Sequence, residues 1–539
     1  MNMNQLTSST VVPPETEPID LTTLTVEKVQ EGFLNGTFTA ESLTSACLHQ
    51  IAIYNAHYNA IIFLNDEALA DARSIDRRRE AGEVLGPLAG VPVVVKDPMD
   101  MVGFPTTAGW SLLYSKTGGV DLMPARDSPV VARMRSAGAI ILGKTNVPVL
   151  SHTGTHADDS WAGPTLNVAK TGRVPGGSSA GTAAAVGASM AVLGLAEETG
   201  GSIQNPASAQ DLVGVKPTIG LVPNAGVMPL SGNRDVVGPI ARNVRDAALC
   251  LDALAGYTAE DPKTLAGVGM KPLLGYASKL RKDALRGVRL GLYGLGWRNQ
   301  PLSTETRNLY ERALEELKAQ GAVVIEDPFL GSGFAALRQT TSPLPNFDAR
   351  GMESVIYDLH KYLERLGPDA AIKSYKEFAQ ATASESAFGP KGVLSFMHNL
   401  PQFVASLQTP TVPPDLSDFI LLKERYLRIF DDVFTRERLD ALVFPQMREE
   451  LPLINTGRTI QETTVGEINI AGLPGVVVPA GYYDSGAPFG LIFVGRLWSE
   501  ADLLAYAYGY ESATQHRRIP VLAQQKRCLK TLQQKSAFH

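Results

Sequence analysis

Two rhythms of apolar and polar residues alternate along this chain of 539 residues. Residues 21–54 repeat at a helical period, with Thr39 and Ser42 near a helix start. Further on, short apolar, β-branched runs take turns with amphipathic stretches. Strands are expected over 91–95, 139–142, 288–293, 322–325, 442–444, 476–478 and 491–494. Helices are expected over 129–137, closed by Gly138; over 183–192, built of small residues; and over 304–320, ended by Gly321. Ser499 with Asp502 reads as a capping-box start for a last helix running to Gln515. Strands alternating with helices predict an α/β fold layered on a mixed sheet. The stretch 329–418 breaks the rhythm with prolines from Pro343 to Pro414, and is expected to be an insertion beside a pocket. Residues 1–20 read as a polar arm and 526–539 as a polar tail, which leaves 21–525 as one domain.

Composition narrows the class. Hydrophobic residues at 44% and charged residues at 19% exclude wholesale disorder. A formal charge of −6 lacks the basic footprint of a nucleic-acid binder, so no nucleic-acid partner is expected. Cys47, Cys250 and Cys528 are far apart and form no CxxC pair, which fits a reducing, cytoplasmic interior better than a disulfide framework. The first residues lack the basic and apolar segments of a signal peptide, and no apolar run reaches the roughly 18 residues of a membrane span.

The most unusual stretch is 173–223. It holds PGGSSAG at 175–181 and ETGGSIQNPAS at 198–208, two Gly-Gly-Ser turns separated by an apolar helix-and-strand segment. Glycine turns leave backbone N–H groups free to hold an anion or a developing oxyanion, and a hydroxyl beside each turn can act as nucleophile or proton relay. A serine nucleophile needs a base. His49 and His57 sit in the helical N-terminal stretch, His360 and His398 in the irregular one, His516 beside two arginines, and His539 at the terminus. His152 and His156 have the spacing of a zinc helix, but HTGTH lacks the intervening Glu and makes a poor helix, so no metal is expected. Lys96 is the other candidate base. It ends the run VVVK, at the carboxyl end of a buried strand, where α/β sheets place ligands. Desolvation can lower the proton affinity of such a lysine toward neutrality. The plain alternative is a strand-end lysine reaching solvent or pairing with Asp97. Residues 177–181 also match G-x-S-x-G with Ser179 as nucleophile, but no apolar strand precedes them and the elbow reading fails. The GxxGxG run at 291–296 lacks dinucleotide spacing and reads as a turn.

Taken together these residues resemble the amidase signature family of serine hydrolases, over about residues 22–520. The resemblance is carried by GPLAGVPVVVKD (86–97), AGAIILGKTN (137–146), PGGSSAG, TGGSIQNPAS, GVKPT (214–218), GPIARNVRDAAL (238–249) and GLIFVGRLWSEADLL (490–504). It implies one large α/β/α domain around a mixed sheet of roughly eleven strands, and hydrolysis of a carboxamide without metal or cofactor. It implies Ser202 as acyl-forming nucleophile, Ser178 as a bridging serine behind a cis peptide, and Lys96 as base. The N–H groups of Thr199, Gly200, Gly201 and Ser202 would form the oxyanion hole, with Gly177, Ser178 and Ser179 beside the substrate. Four positions depart from the family pattern: Glu198 replaces an Asp, Gln204 an Arg, Pro98 an Asn and Val168 a Pro. The family's Asp–Arg charges support the nucleophile loop, so Glu198 must be protonated or pair elsewhere.

The leading expectation is an amide hydrolase acting on a small or medium carboxamide, anilide or amidated peptide. Ester or carbamate cleavage and acyl transfer could use the same acyl-enzyme. A further alternative is the glutaminase component of a tRNA-dependent amidotransferase, which needs partner subunits. An inactive relative kept as a binding protein is opposed by the intact Lys96, Ser178 and Ser202. A homodimer is an expectation of the resemblance alone. The substrate pocket is expected from 329–418 and 99–104, with Phe334, Phe347, Tyr357 and Phe396 as candidate walls or plain core.

Overall fold

The VVVK run becomes a strand because both of its faces are covered: every residue from Pro92 to Lys96 is buried. In the computed structural model, which describes residues 19–341, 348 and 350–523, it joins an eleven-stranded mixed sheet. The strands are β1 (Ile61–Leu64), β2 (Pro92–Lys96), β3 (Ile140–Thr145), β4 (Leu193–Glu198), β5 (Val213–Lys216), β6 (Val236–Ala241), β7 (Arg289–Leu292), β8 (Val323–Ile325), β9 (Ala441–Pro445), β10 (Gly475–Tyr482) and β11 (Pro488–Val494). Their order across the sheet is β1-β3-β2-β4-β6-β5-β10-β11-β9-β7-β8. β2 runs parallel to both β3 and β4, and β7 parallel to β8 and β9; the other neighbours are antiparallel.

Period-two alternation assigns the side chains to two cores. In β10 and β11, Val476, Val478, Leu491 and Phe493 enter one apolar cluster, while Val477, Ile492 and Val494 enter the other. The first cluster is completed by helices such as Ala40–Tyr58 and Glu500–Thr514, the second by Ser417–Arg436. The result is the expected α/β/α layering of a single domain.

The elements differ from the sequence pattern in physically readable ways. The helical stretch 21–54 is two helices, Val26–Leu34 and Ala40–Tyr58, broken where Gly36 takes φ +67°. Thr39 and Ser42 form the expected reciprocal capping box. The small-residue helix spans Ala180–Gly187, because Ser189 at φ +57° turns the chain into β4. Gly194 of β4 lets that helix approach: a Cβ there would lie 2.4 Å from Thr182 Cγ2. β1 is a short apolar run, IIFL, outside the expected strands, whereas β5 and β6 have no clear apolar run; β6 contains Gly238 and Pro239 and is a strand through its neighbours. No capping box forms at Ser499, whose hydroxyl donates to the Arg496 carbonyl at 2.7 Å. No helix among the described residues is long and apolar enough to cross a membrane. Cys47 and Cys250 are buried free thiols; Cys528, Phe347, the arm up to residue 18 and the tail 526–539 lie outside the described residues.

Within 329–418, the helices Val355–Arg365, Tyr375–Ala381 and Phe403–Gln408 gather around an apolar cluster that includes Ile356, Phe378, Phe388 and Trp110. Asp100, in the loop after β2, ties this segment to the sheet, accepting from the Tyr362 hydroxyl at 2.7 Å and from Arg365 at 3.1 Å.

A buried acid gives stability a pH dependence. Asp246 is fully buried, caps the backbone N–H of Val26 at 3.0 Å, and burial pushes its carboxyl up to about 6. A raised acid means that the folded chain holds a proton that the unfolded chain releases. The stability from this group is therefore present below about pH 4 and lost as pH rises toward 6. Asp246→Asn cannot titrate. Relative to the parent, its unfolding free energy in urea titrations is expected to improve by about 1–3 kcal/mol between pH 4 and pH 7. An unchanged difference across that range would refute the assignment.

Candidate active site

Parallel pairing brings the ends of β2 and β4 to the same edge of the sheet, the edge where α/β folds place their sites. Lys96 ends β2 and is fully buried. Its Nζ reaches Ser178 Oγ at 2.7 Å, the Glu197 carbonyl at 2.9 Å and Glu197 Oε2 at 2.7 Å. Burial lowers its proton affinity, and the neighbouring Glu197 charge opposes that shift. The plain alternative does not hold: Asp97 instead faces Lys144 at 3.3 Å and Thr107.

Ser178 precedes the helix Ala180–Gly187, and the Gly177–Ser178 peptide is cis. Two glycines are needed to seat this turn. A Cβ on Gly176 would lie 2.5 Å from Pro206 Cα, and one on Gly177 would lie 2.6 Å from the Thr153 carbonyl. The Gly177 N–H donates to the Gly154 carbonyl at 2.9 Å. HTGTH thus contributes its central glycine's backbone to the site. His152 and His156 face Asp159 and Asp158 at 3.5 Å each.

The second turn leaves β4 directly. Gly201 takes φ +94°, and Ser202 is 4% exposed. Among the described residues, the Ser202 hydroxyl has no hydrogen-bond partner, and the N–H groups of Thr199, Gly200, Gly201 and Ser202 meet no acceptor. The Ser179 N–H donates to the Ser202 carbonyl at 3.3 Å, which lays the two turns side by side. The Ser179 hydroxyl donates to the Glu197 carbonyl at 3.2 Å, so it is engaged in the interior. No hydrogen bond joins the Ser178 and Ser202 hydroxyls among the described residues.

Glu198 does pair elsewhere. Its carboxylate accepts from the N–H groups of Ile203 at 2.8 Å and Gln204 at 3.1 Å, from the Gln204 amide at 2.5 Å, and from the Asn469 amide at 2.7 Å. Neutral donors replace the guanidinium of the family pattern, and Asn469 comes from the distant helix Val465–Ala471. Asn469 and the carboxylate of Glu197 were not legible in advance; two consecutive glutamates at a strand end were the available signal for Glu197. Of the expected pocket walls, Phe334 is core, stacked on Trp297 at 4.4 Å. Tyr357 lies under Lys361 and Phe396 under Arg350.

Known proteins resemble this chain over most of its length. The amidase family model matches residues 42–504. The A-type chain of glutamyl-tRNA(Gln) amidotransferase from Moorella thermoacetica is 32% identical, covering 94% of this chain and 99% of the relative. The solved peptide amidase of Stenotrophomonas maltophilia is 31% identical with a TM-score of 0.75, over 93% of this chain and 99% of that one. The corresponding amidotransferase chain of Thermotoga maritima, 23% identical over 94% of this chain and 99% of that one, shares the fold with a TM-score of 0.67. With the sheet, the two glycine-serine turns and a family match over most of its length, the chain belongs to the amidase signature family, whose enzymes work on amide C–N bonds.

Proposed function

We propose that this protein hydrolyses a carboxamide through a Ser202 acyl-enzyme, with Ser178 as the bridging relay and Lys96 as the base. The observation that carries the reading is the buried 2.7 Å contact between Lys96 and Ser178, beside a turn whose backbone N–H groups are free. Neutral Lys96 takes the proton of Ser178 as Ser178 takes that of Ser202, and Ser202 Oγ bonds to the carbonyl carbon. The carbonyl oxygen becomes an oxyanion, held by N–H groups from Thr199 to Ser202. The proton returns through Ser178 to the leaving nitrogen, the C–N bond breaks, and an amine or ammonia departs. Water then cleaves the acyl ester by the same relay, releasing a carboxylic acid. Gly177, Ser178 and Ser179 line the substrate side, and the reaction draws on no cofactor. The buried free thiols suit a reducing, cytoplasmic setting.

Labelling with a fluorophosphonate, followed by peptide mapping, tests the assignment. Modification is expected at Ser202; modification at Ser179 or none at all would overturn it. A panel of primary amides, anilides, carbamates and esters, scored for released amine or acid, then orders the substrate classes. The second reading, a glutaminase component of an amidotransferase, is supported by the identity to the Moorella thermoacetica chain. The inserted segment 329–418 and Gln204 in place of the family's arginine favour an enzyme that works without other kinds of chain, by itself or as a homodimer. Amide turnover by the purified chain alone would decide for the first reading.

A further inference from the structure

We propose that Glu197 is the positioning residue of the base, and that Thr199 and Asp235 hold Glu197 in place for it. This rests on the reading of Lys96 as the base. The geometry around Nζ is complete with three partners: Ser178 Oγ, the Glu197 carbonyl and Glu197 Oε2. A neutral amine has two hydrogens and one lone pair. The carbonyl and the carboxylate of Glu197 can only accept, so they take the two hydrogens. The lone pair is then aimed at the hydroxyl of Ser178. When Lys96 gains the proton of Ser178, its third hydrogen points back along the same line. The carboxylate of Glu197 is already in place to balance the charge. No bond to Glu197 is made or broken.

A second contact fixes the carboxylate itself. Thr199 Oγ1 lies 3.1 Å from Glu197 Oε1 and 2.5 Å from Asp235 Oδ1. One hydroxyl carries one proton and cannot donate to both acids. The row Glu197–Thr199–Asp235 therefore holds one more proton, and Asp235 is its place. Burial, and then the charge of Glu197, push the Asp235 carboxyl up to about 7. Asp235 is further fixed by the N–H groups of Leu230 and Ser231, and it lines a cavity of about 440 Å³. The other charge felt at Lys96 is Glu198, which also favours the ammonium form; Asp235 adds to it only once it has lost its proton. Lys216 and Arg234 oppose Glu198, and Arg234 opposes Asp235.

The test is the pH dependence of acylation in the full-length enzyme, read as fluorophosphonate labelling of Ser202 and as kcat/KM on an amide from the panel. Glu197→Gln keeps an acceptor for Lys96 and removes the charge. Its acidic limb is expected to move down by about 1–3 pH units. Glu197→Ala loses the acceptor too, so its plateau rate is expected to fall at least about 30-fold below that of Glu197→Gln. A purely structural Glu197 would lower the plateau of both variants and leave the limb where it was. Coincident limbs in the parent and Glu197→Gln overturn the proposal while the triad stands. Absence of Ser202 labelling in the parent at every pH overturns the triad reading instead.

Discussion

Lys96→Met is expected to lower kcat/KM for amides by about a thousandfold or more. A positioned general base contributes roughly 10²–10⁴ in rate. Here the amine is also the hydrogen-bond partner that holds the Ser178 hydroxyl, so its loss disables the relay as a unit. Methionine keeps the apolar stem inside β2, where Val93, Val94 and Val95 are fully buried, but it leaves the Glu197 carboxylate without its hydrogen-bond donor. Folding is therefore checked by circular dichroism and thermal melting. Ser202→Ala supplies the second arm, since the Ser202 hydroxyl makes no hydrogen bond among the described residues and its removal leaves the fold untouched. The double variant is expected to be no slower than the worse single one, because residues acting as a unit are not additive. A folded Lys96→Met enzyme that keeps a tenth of the parental rate would refute the base assignment.

Glu467→Ala is expected to cost about 3–5 kcal/mol in unfolding free energy, the range for breaking a buried ion pair from one side. Arg298 and Glu467 are each 1% exposed, and the guanidinium meets the carboxylate through both Nε, at 2.9 Å, and a terminal nitrogen. Removing the carboxylate strands a buried cation, which the carbonyl of Glu462 alone cannot satisfy. The pair also locks the helix Val465–Ala471, whose Asn469 holds Glu198 and whose Val465 packs against Gly201. Activity should therefore fall along with stability. A double replacement of Arg298 and Glu467 by methionine should recover most of the stability, since a packed apolar pair avoids the desolvation cost. Urea unfolding at pH 7 measures both variants; a loss below about 1 kcal/mol for Glu467→Ala would mean that the pair is dispensable.

Much of the site was visible in the chain because its parts are local. The two Gly-Gly-Ser turns are contiguous words; close backbone approach requires Gly176 and Gly177 in the first, and a positive φ favours glycine at Gly201 in the second. Lys96 stood out because a charge closes an apolar strand. The helix start at Thr39 and Ser42 was equally local, and it formed. Ser499 and Asp502 obey the same pattern without forming a cap. There, the carboxylate of Glu500 accepts the Thr218 N–H at 2.6 Å, and the Ser499 hydroxyl turns to Arg496. A local rule yielded to a contact far away in sequence.

The chain by itself determined the layered α/β class and the strands that carry long β-branched runs, and it offered Lys96, Ser178 and Ser202 as candidates for the site. Each depends on neighbours within one turn or one strand. Only the tertiary structure decided that Glu197 faces Lys96, that Thr199 and Asp235 stand behind it, and that Asn469 replaces a missing arginine as partner to Glu198. It also decided that β5 and β6 are strands and that Phe334 is core. The reason is the same in every case: a buried polar group or a short strand takes its meaning from its partner. Those partners lie on segments that only the packed sheet brings together.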